Sequence, residues 1–235
     1  MWSADRERII AFYETQLARY GPQDPRSLHW VGSSTQKARF RVLLEVGPWE
    51  GRSVADVGSG LGDFYGFLKA EGYTLVTLAD SHADPNAVRY LGYDVTPQMV
   101  EAACANLPGA DFRVRDVVSD GVDAPCDYVV ASGTFNVRVH NHRAFFKTAV
   151  SAMWAGARRA VAFNFLGPPL TAGWESPLYY EADPLDIARF CGTLTPHLEL
   201  REGYLVGDAT LFMYKDAAWC PVCDGRPVNG RAVHG

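Results

Sequence analysis

Short apolar runs alternate with amphipathic stretches along most of this 235-residue chain. The apolar runs have the length of strands, and in the stretches between them apolar residues recur every three or four positions. The pattern predicts strands over 53–57, 87–93, 112–115, 127–131, 160–165, 198–206 and 209–214, with a further strand-like run over 74–79. It predicts helices over 63–71, 142–156 and 184–193, and one more that starts at Thr96-Pro97.

Strands that alternate with helices indicate a mostly parallel, doubly wound sheet with helices on both faces. The last two predicted strands are separated only by Gly207 and Asp208. So short a link permits an antiparallel hairpin but no crossover connection. We therefore predict an α/β fold with a seven-stranded, mostly parallel sheet and a C-terminal antiparallel hairpin.

Two amphipathic helices precede the first strand. One is predicted over 4–20, with Ser3 as its cap, and the other over 35–46. A Gly-Pro pair directly follows each helix and stops it. These features predict an N-terminal helical lid over 1–50, a sheet domain over 51–216 and a C-terminal tail over 217–235.

The composition narrows the class of protein. Hydrophobic residues make up 48% of the chain, which excludes a disordered protein, and no apolar run is long enough to span a membrane. The formal charge of −5 argues against a nucleic-acid partner. The N-terminus lacks the apolar stretch of a signal peptide, and the five cysteines are an odd number. We expect a cytoplasmic protein with reduced thiols, and the sequence leaves its oligomeric state open.

Only Cys220 and Cys223 have the spacing of metal ligands. A zinc site needs two more ligands, and His234 is the only histidine nearby. We therefore predict no metal site and interpret these cysteines as incidental residues of an exposed tail.

A glycine-rich turn follows the first predicted strand. Asp56 precedes Gly58, Gly60 and Gly62, so the glycines run G-x-G-x-G, and Asp63 stands where a dinucleotide fingerprint has its third glycine. Such a turn lets a ligand approach the backbone, and the helix behind it favours an anionic group. A carboxylate before the turn suits a cationic amine, so the turn fits a ligand that carries both an amine and a carboxylate.

This segment resembles motif I of the class I S-adenosylmethionine-dependent methyltransferases, which have a Rossmann-like domain. The likeness covers roughly residues 53–215 and includes the closing hairpin. It implies that Gly58, Gly60 and Gly62 contact the methionyl part of S-adenosylmethionine, while Asp56 supports the turn and the amine. The cofactor would leave as S-adenosylhomocysteine.

The resemblance also implies an acidic residue that binds the ribose. The segment from Tyr90 to Val100 resembles the family's second strand and following helix, and its acid is Asp94. Such an acid is expected about 20 residues beyond the glycine turn, where Asp80 stands, so Asp94 requires an inserted surface excursion. We prefer Asp94 because the predicted strand before it and the Thr96 cap, Pro97 and helix after it all fit the family's pattern. Asp80 remains the alternative.

Three further residues resemble cofactor contacts of the family. Asp116 stands where the family contacts the adenine amino group, and Val117 would pack beside the ring. Ser132 follows the strand 127–131, next to the expected position of the transferred methyl group.

Methyl transfer from a sulfonium is an in-line displacement, so a base is needed only if the acceptor must lose a proton. Histidine has a suitable pKa for that role, and the candidates are His140, His142 and His29. The candidate acceptor-binding residues are aromatic or polar and lie near these segments: Tyr13, Tyr20, Trp30, Asn136, Arg143, Asn164, Trp174 and Tyr179.

The sequence thus predicts a methyltransferase that acts on a small molecule at O, N or C. An Asn-Pro-Pro-Tyr type segment is missing after the strand 127–131, which disfavours methylation of a nucleic-acid base or a Gln side chain. The alternatives are a protein or RNA methyltransferase and a cofactor-binding protein without methyltransferase activity. The glycine spacing disfavours a Rossmann-type oxidoreductase.

Overall fold

The computed structural model of the protein describes residues 2–28, 32–168 and 177–221. Within these residues eight strands form one sheet, with bounds β1 Ser53–Val57, β2 Leu75–Thr77, β3 Val88–Asp94, β4 Phe112–Val114, β5 Cys126–Ala131, β6 Ala157–Leu166, β7 Leu198–Glu202 and β8 Asp208–Tyr214. The α-helices are α1 Trp2–Tyr20, α2 Ser33–Leu43, α3 Asp63–Ala70, α4 Pro97–Asn106, α5 Val117–Asp120, α6 His142–Gly156 and α7 Pro184–Gly192.

The sheet has the order β2-β3-β1-β5-β6-β8-β7, and β4 also pairs with β3. β2 pairs with the first half of β3, with Thr77 opposite Tyr90, and β4 pairs with the second half, with Phe112 opposite Gly92. The two short strands therefore occupy one position beside β3. The sheet is therefore seven positions wide, as predicted, although it contains eight strands. The strand-like run near residue 75 is the additional strand.

The C-terminal hairpin is antiparallel, as predicted, but its turn is longer than expected. β7 ends at Glu202 and β8 begins at Asp208, with Asp208 opposite Leu166 of β6. Residues 203–206 contain apolar side chains, which is why the sequence pattern predicts them as part of the strand. The structure places them in the turn.

The N-terminal helix also begins earlier than predicted. α1 starts at Trp2, so Ser3 lies inside the helix and the prediction of Ser3 as its cap is wrong. The short helix α5 was not predicted at all. It begins after Asp116, whose side chain accepts hydrogen bonds from the backbone N–H groups of Val118 and Ser119.

Two apolar layers sandwich the central strands because successive side chains point to opposite faces. In β6, Val161 and Phe163 join the layer under α6, whereas Ala160 and Ala162 join the layer under α2, α3 and α4. Cys220 is fully buried in the second layer. The prediction that it belongs to an exposed tail is therefore wrong, because the chain folds back onto the sheet there. Cys223 and His234 lie outside the described residues.

The two N-terminal helices are attached to the sheet in different ways. α1 crosses the loop that precedes α6, where the carboxylate of Asp5 accepts a hydrogen bond from the backbone N–H of His140 at 3.1 Å. α2 is fixed by the Arg39–Asp208 ion pair, with distances of 2.5 Å and 2.8 Å between guanidinium nitrogens and carboxylate oxygens. None of the described helices is both long and apolar enough to cross a membrane.

Candidate functional site

An open cavity lies at the carboxyl edge of the parallel strands. Its floor is formed by the residues that follow β1, β3, β4 and β5. α1 and α2 contribute its cover, through side chains that include Trp2, Ile9, Tyr13 and Gln36. Ligands of doubly wound sheets bind at this edge, so this cavity is the candidate site.

The glycine-rich turn forms one wall of the cavity. Gly58 and Gly60 have positive φ angles of 75° and 53°, a conformation that side chains disfavour. A Cβ atom on Gly58 would overlap the hydroxyl of Thr134, and one on Gly60 would lie 2.9 Å from Leu28. The turn therefore packs closely against its neighbours and leaves its backbone facing the cavity.

Gly62 has a different role from the other two glycines. It precedes α3 with a φ of 81° and does not line the cavity. A Cβ atom there would overlap Leu107 and Phe112, so Gly62 allows the start of α3 to pack against these two side chains.

Asp94 ends β3 and lines the cavity beside the turn. One of its carboxylate oxygens accepts a hydrogen bond from the backbone N–H of Gly60 at 2.9 Å, and the other accepts from that of Thr96 at 2.8 Å. Burial raises the pKa of Asp94, although these hydrogen bonds oppose the shift. Asp80 is exposed, accepts a hydrogen bond from the N–H of His82, and does not line the cavity.

Asp56 lines the cavity at the end of β1 and is almost fully buried. The Tyr90 hydroxyl donates a 2.5 Å hydrogen bond to its carboxylate. Burial raises the pKa of Asp56 to about 7, and the hydrogen bond from Tyr90 only partly opposes this shift. The carboxyl group therefore changes charge near neutral pH.

Asp116 lies at the end of the cavity formed by β4 and α5. The indole nitrogen of Trp2 donates a 2.7 Å hydrogen bond to its carboxylate, and the Trp2 ring stacks on Phe145 with centroids 4.8 Å apart. Val117, which follows Asp116, is buried and lines the same end. A planar N–H donor thus fits between Asp116 and an aromatic ring.

The charges that line the cavity are mainly negative. Four carboxylates face it, from Asp56, Asp63, Asp94 and Asp116, and Arg115 is the one cation among its described lining residues. The Arg115 guanidinium donates to the carbonyl oxygens of Gly121 and Asp120 and pairs with Asp123. This arrangement favours a ligand that carries positive charge.

Predicted residues after β5 and within the second half of β6 form a hydrogen-bonded support for the cavity. Asn164 is fully buried, accepts from the N–H of Gly133 at 2.8 Å and donates to the Ser132 hydroxyl at 3.0 Å. Ser132 lines the cavity, whereas Asn136 and Asn164 do not. The buried side-chain oxygen of Asn136 has no hydrogen-bond partner within the described ranges.

The structure does not bring the described candidate bases to the cavity wall. His140 is exposed, and His142 is buried under Tyr180, with ring centroids 3.7 Å apart. Burial lowers the pKa of His142 to about 4, with a smaller contribution from Arg138. His29 lies outside the described residues.

The predicted acceptor-binding residues are scattered. Tyr13 lines the cavity, where burial and then the nearby Asp94 raise the pKa of its hydroxyl. Tyr179 is half-buried and forms a bridge with Val137, which also lines the cavity. Arg143 is exposed, Tyr20 does not line the cavity, and Trp30 and Trp174 lie outside the described residues.

Sequence reasoning missed several cavity residues. Trp2, Gln36 and Phe145 reach the wall from helices far away in sequence, and no local motif marks them. Asp63 was considered only as the residue that replaces a third glycine. Its acidity, directly after the glycine turn, was a signal that it faces the cavity.

Comparisons with known proteins agree with this geometry. No protein-family model matches the chain. It is 31% identical over 159 residues to a Mycobacterium tuberculosis protein named "Putative methyltransferase Rv1506c". The aligned region covers 65% of this chain and 84% of that protein.

Solved structures of methyltransferases share the fold. Magnesium protoporphyrin IX methyltransferase from Synechocystis, with bound S-adenosylhomocysteine, superposes with a TM-score of 0.62 and 15% identity over 90% of this chain and 100% of its own. Human N-acetylserotonin methyltransferase, in complex with S-adenosylmethionine, gives a TM-score of 0.60 and 13% identity over 88% of this chain and 58% of its own.

The fold and the site define an enzyme that transfers a methyl group from S-adenosylmethionine. The chain belongs to the class I S-adenosylmethionine-dependent methyltransferases. Its cavity fits the cofactor in two respects. The acidic lining suits the sulfonium and ammonium charges, and the turn from Gly58 to Gly60 lines the cavity without bulky side chains at its two glycines.

Proposed function

We propose that the protein methylates a small organic molecule, and that the cofactor lies along the carboxyl edge of the sheet. Asp116 and Val117 would hold the adenine, Asp94 the ribose, and Gly58, Gly60, Asp56 and Ser132 the methionyl part. The observation that supports this assignment best is the position of Asp94, whose carboxylate faces the cavity while it is bonded to the glycine turn at 2.9 Å.

The lining of the cavity supports a small acceptor. Ile9, Tyr13, Val137 and Phe145 are apolar or aromatic and stand close to the proposed cofactor residues. Apolar walls with a few polar groups are typical of small-molecule sites. The two methyltransferases that share the fold are named for small organic acceptors, a magnesium porphyrin and an acylated amine.

The chain itself would act by alignment and desolvation. S-adenosylmethionine supplies an electrophilic methyl group on sulfur. Tyr13 and Trp2 of α1 would close the cavity and exclude water, which strengthens the attraction between the lining carboxylates and positive charge. His140 and His142 would take no part in proton transfer, because neither lines the cavity. An acceptor that reacts without a protein base fits this arrangement best.

The acceptor class is tested with S-adenosylmethionine labelled on its methyl group. The enzyme is incubated separately with a metabolite extract, with protein and with RNA, and the label is counted in each fraction. We expect label in the metabolite fraction. Label in protein or RNA alone would reassign the acceptor, and binding of S-adenosylhomocysteine without any transfer would indicate a cofactor-binding protein.

The ribose contact is tested by calorimetry with S-adenosylhomocysteine. Asp94→Ala should weaken binding by about 1.5–3 kcal/mol, roughly 10- to 150-fold, because a charge-assisted hydrogen bond is lost. Asp94→Asn retains one acceptor oxygen and should lose less. Asp80→Ala, at an exposed turn, is the control, and a loss confined to that variant would refute the assignment.

A further inference from the structure

A polar pair closes the cavity where α2 meets the glycine turn. The side-chain nitrogen of Gln36 donates a 2.6 Å hydrogen bond to the carboxylate of Asp63, the first residue of α3. Both side chains line the cavity, and Gln36 is only 6% exposed. The pair is therefore built into the wall and is not a surface contact.

The pair has unused capacity for polar contacts with a ligand. Burial raises the pKa of Asp63, and within the described ranges no cation pairs with its carboxylate. A partly buried carboxylate of this kind is stabilised by a cation that a ligand provides. The amide nitrogen of Gln36 carries two hydrogens, and its bond to Asp63 uses one of them.

The order of the strands places this pair at one end of the proposed cofactor. Asp116 follows β4, Asp94 follows β3, and Asp63 follows the turn after β1, so the three acids are arranged in this order along the sheet edge. The cofactor has the same linear order of adenine, ribose and amino acid. Asp63 therefore lies at the amino-acid end.

We infer that Gln36 and Asp63 recognise the amino-acid end of S-adenosylmethionine, with Asp63 facing the α-ammonium group and Gln36 donating to the α-carboxylate. This inference rests on the proposed arrangement of the cofactor. It adds a helix of the N-terminal region to the cofactor site, beyond the glycine turn. Because the Arg39–Asp208 ion pair holds α2 on the sheet, Gln36 is a fixed part of the wall.

The test compares two ligands that differ only at this end. S-adenosylhomocysteine carries the amino acid, whereas 5′-methylthioadenosine keeps the adenosine and the thioether but lacks the ammonium and carboxylate groups. Asp63→Asn removes the charge and can still accept the hydrogen bond from Gln36. We expect it to weaken S-adenosylhomocysteine binding about tenfold or more, and 5′-methylthioadenosine binding less than about twofold.

Gln36→Leu provides an independent measurement through the partner residue. It removes the amide donor and should weaken S-adenosylhomocysteine binding about three- to tenfold, again with little effect on 5′-methylthioadenosine. Asp84→Asn, at an exposed position outside the cavity, is the matched control and should change neither affinity. Thermal unfolding of each variant shows whether it is folded.

The outcomes separate this inference from the proposed function. Equal losses for both ligands would assign the pair a structural role and overturn the inference, as would unchanged S-adenosylhomocysteine affinity in both variants. If the unaltered chain bound neither ligand, the proposed cofactor site itself would fail, and the inference with it.

Discussion

The buried carboxyl group of Asp56 should make the protein less stable as the pH rises. Burial raises its pKa from 3.8 to about 7, so between these values the folded chain holds a proton that the unfolded chain has released. The folded state binds more protons in this range, and its stability therefore falls as pH increases. Above pH 7 both states are ionised, and the loss is complete.

Asp56→Asn isolates this effect because the amide is neutral at every pH and its oxygen can still accept the hydrogen bond from Tyr90. The shift from 3.8 to about 7 corresponds to a full difference of about 4 kcal/mol, at 1.36 kcal/mol for each pKa unit. Between pH 5 and pH 8 the stability advantage of Asp56→Asn should grow by about 2–3 kcal/mol.

Urea unfolding followed by circular dichroism at pH 5 and pH 8 measures this difference. All other titrating groups are shared by the two chains, so they cancel in the comparison. Asp84→Asn, an exposed substitution of the same kind, should show no such growth. A constant difference between Asp56→Asn and the unaltered chain would mean that Asp56 is already ionised at pH 5, and the reasoning from burial would be wrong.

Two further substitutions test the turn and the ion pair. Gly60→Val should reduce S-adenosylhomocysteine affinity more than about 100-fold, because valine disfavours a positive φ and its side chain would meet Leu28. Calorimetric titration measures this affinity, and an unchanged value would contradict the structure. Arg39→Met should lower the free energy of unfolding by about 3–5 kcal/mol because it leaves Asp208 buried and unpaired. The double variant Arg39→Met/Asp208→Leu should recover most of that loss in urea unfolding, and no recovery would show that the cost does not come from the unpaired carboxylate.

The sequence predicted elements well where local signals mark both ends. β1 and α6 have the predicted bounds, 53–57 and 142–156, because turn residues or a helix cap flank them. The position of β2 in the sheet could not be predicted, because a three-residue, half-buried run does not indicate which part of β3 it pairs with. The start of α1 was missed because Asp116 and Phe145, which contact Trp2, are distant in sequence.

The same distinction applies to the candidate site. Asp56, Gly58, Asp94 and Asp116 each lie within two residues of the carboxyl end of a strand, so their place at the carboxyl edge follows from strand order alone. The direction of a helix side chain depends on how its helix is rotated against the sheet, which sequence spacing does not determine. His142 illustrates this limit, because the first turn of α6 directs it toward Tyr180.

The contact between Trp2 and Asp116 has a thermodynamic consequence for cofactor binding. The indole N–H, the Ser119 hydroxyl and two backbone N–H groups already donate to the Asp116 carboxylate. In the proposed complex, the adenine amino group would therefore replace one of these protein donors at the Asp116 carboxylate. It would not donate to a carboxylate oxygen that lacked a hydrogen bond. Such an exchange adds little net binding free energy, but a base that lacks the amino group would leave the carboxylate short of a donor. Asp116 would then govern which nucleoside is accepted, while the affinity would come from the rest of the cavity.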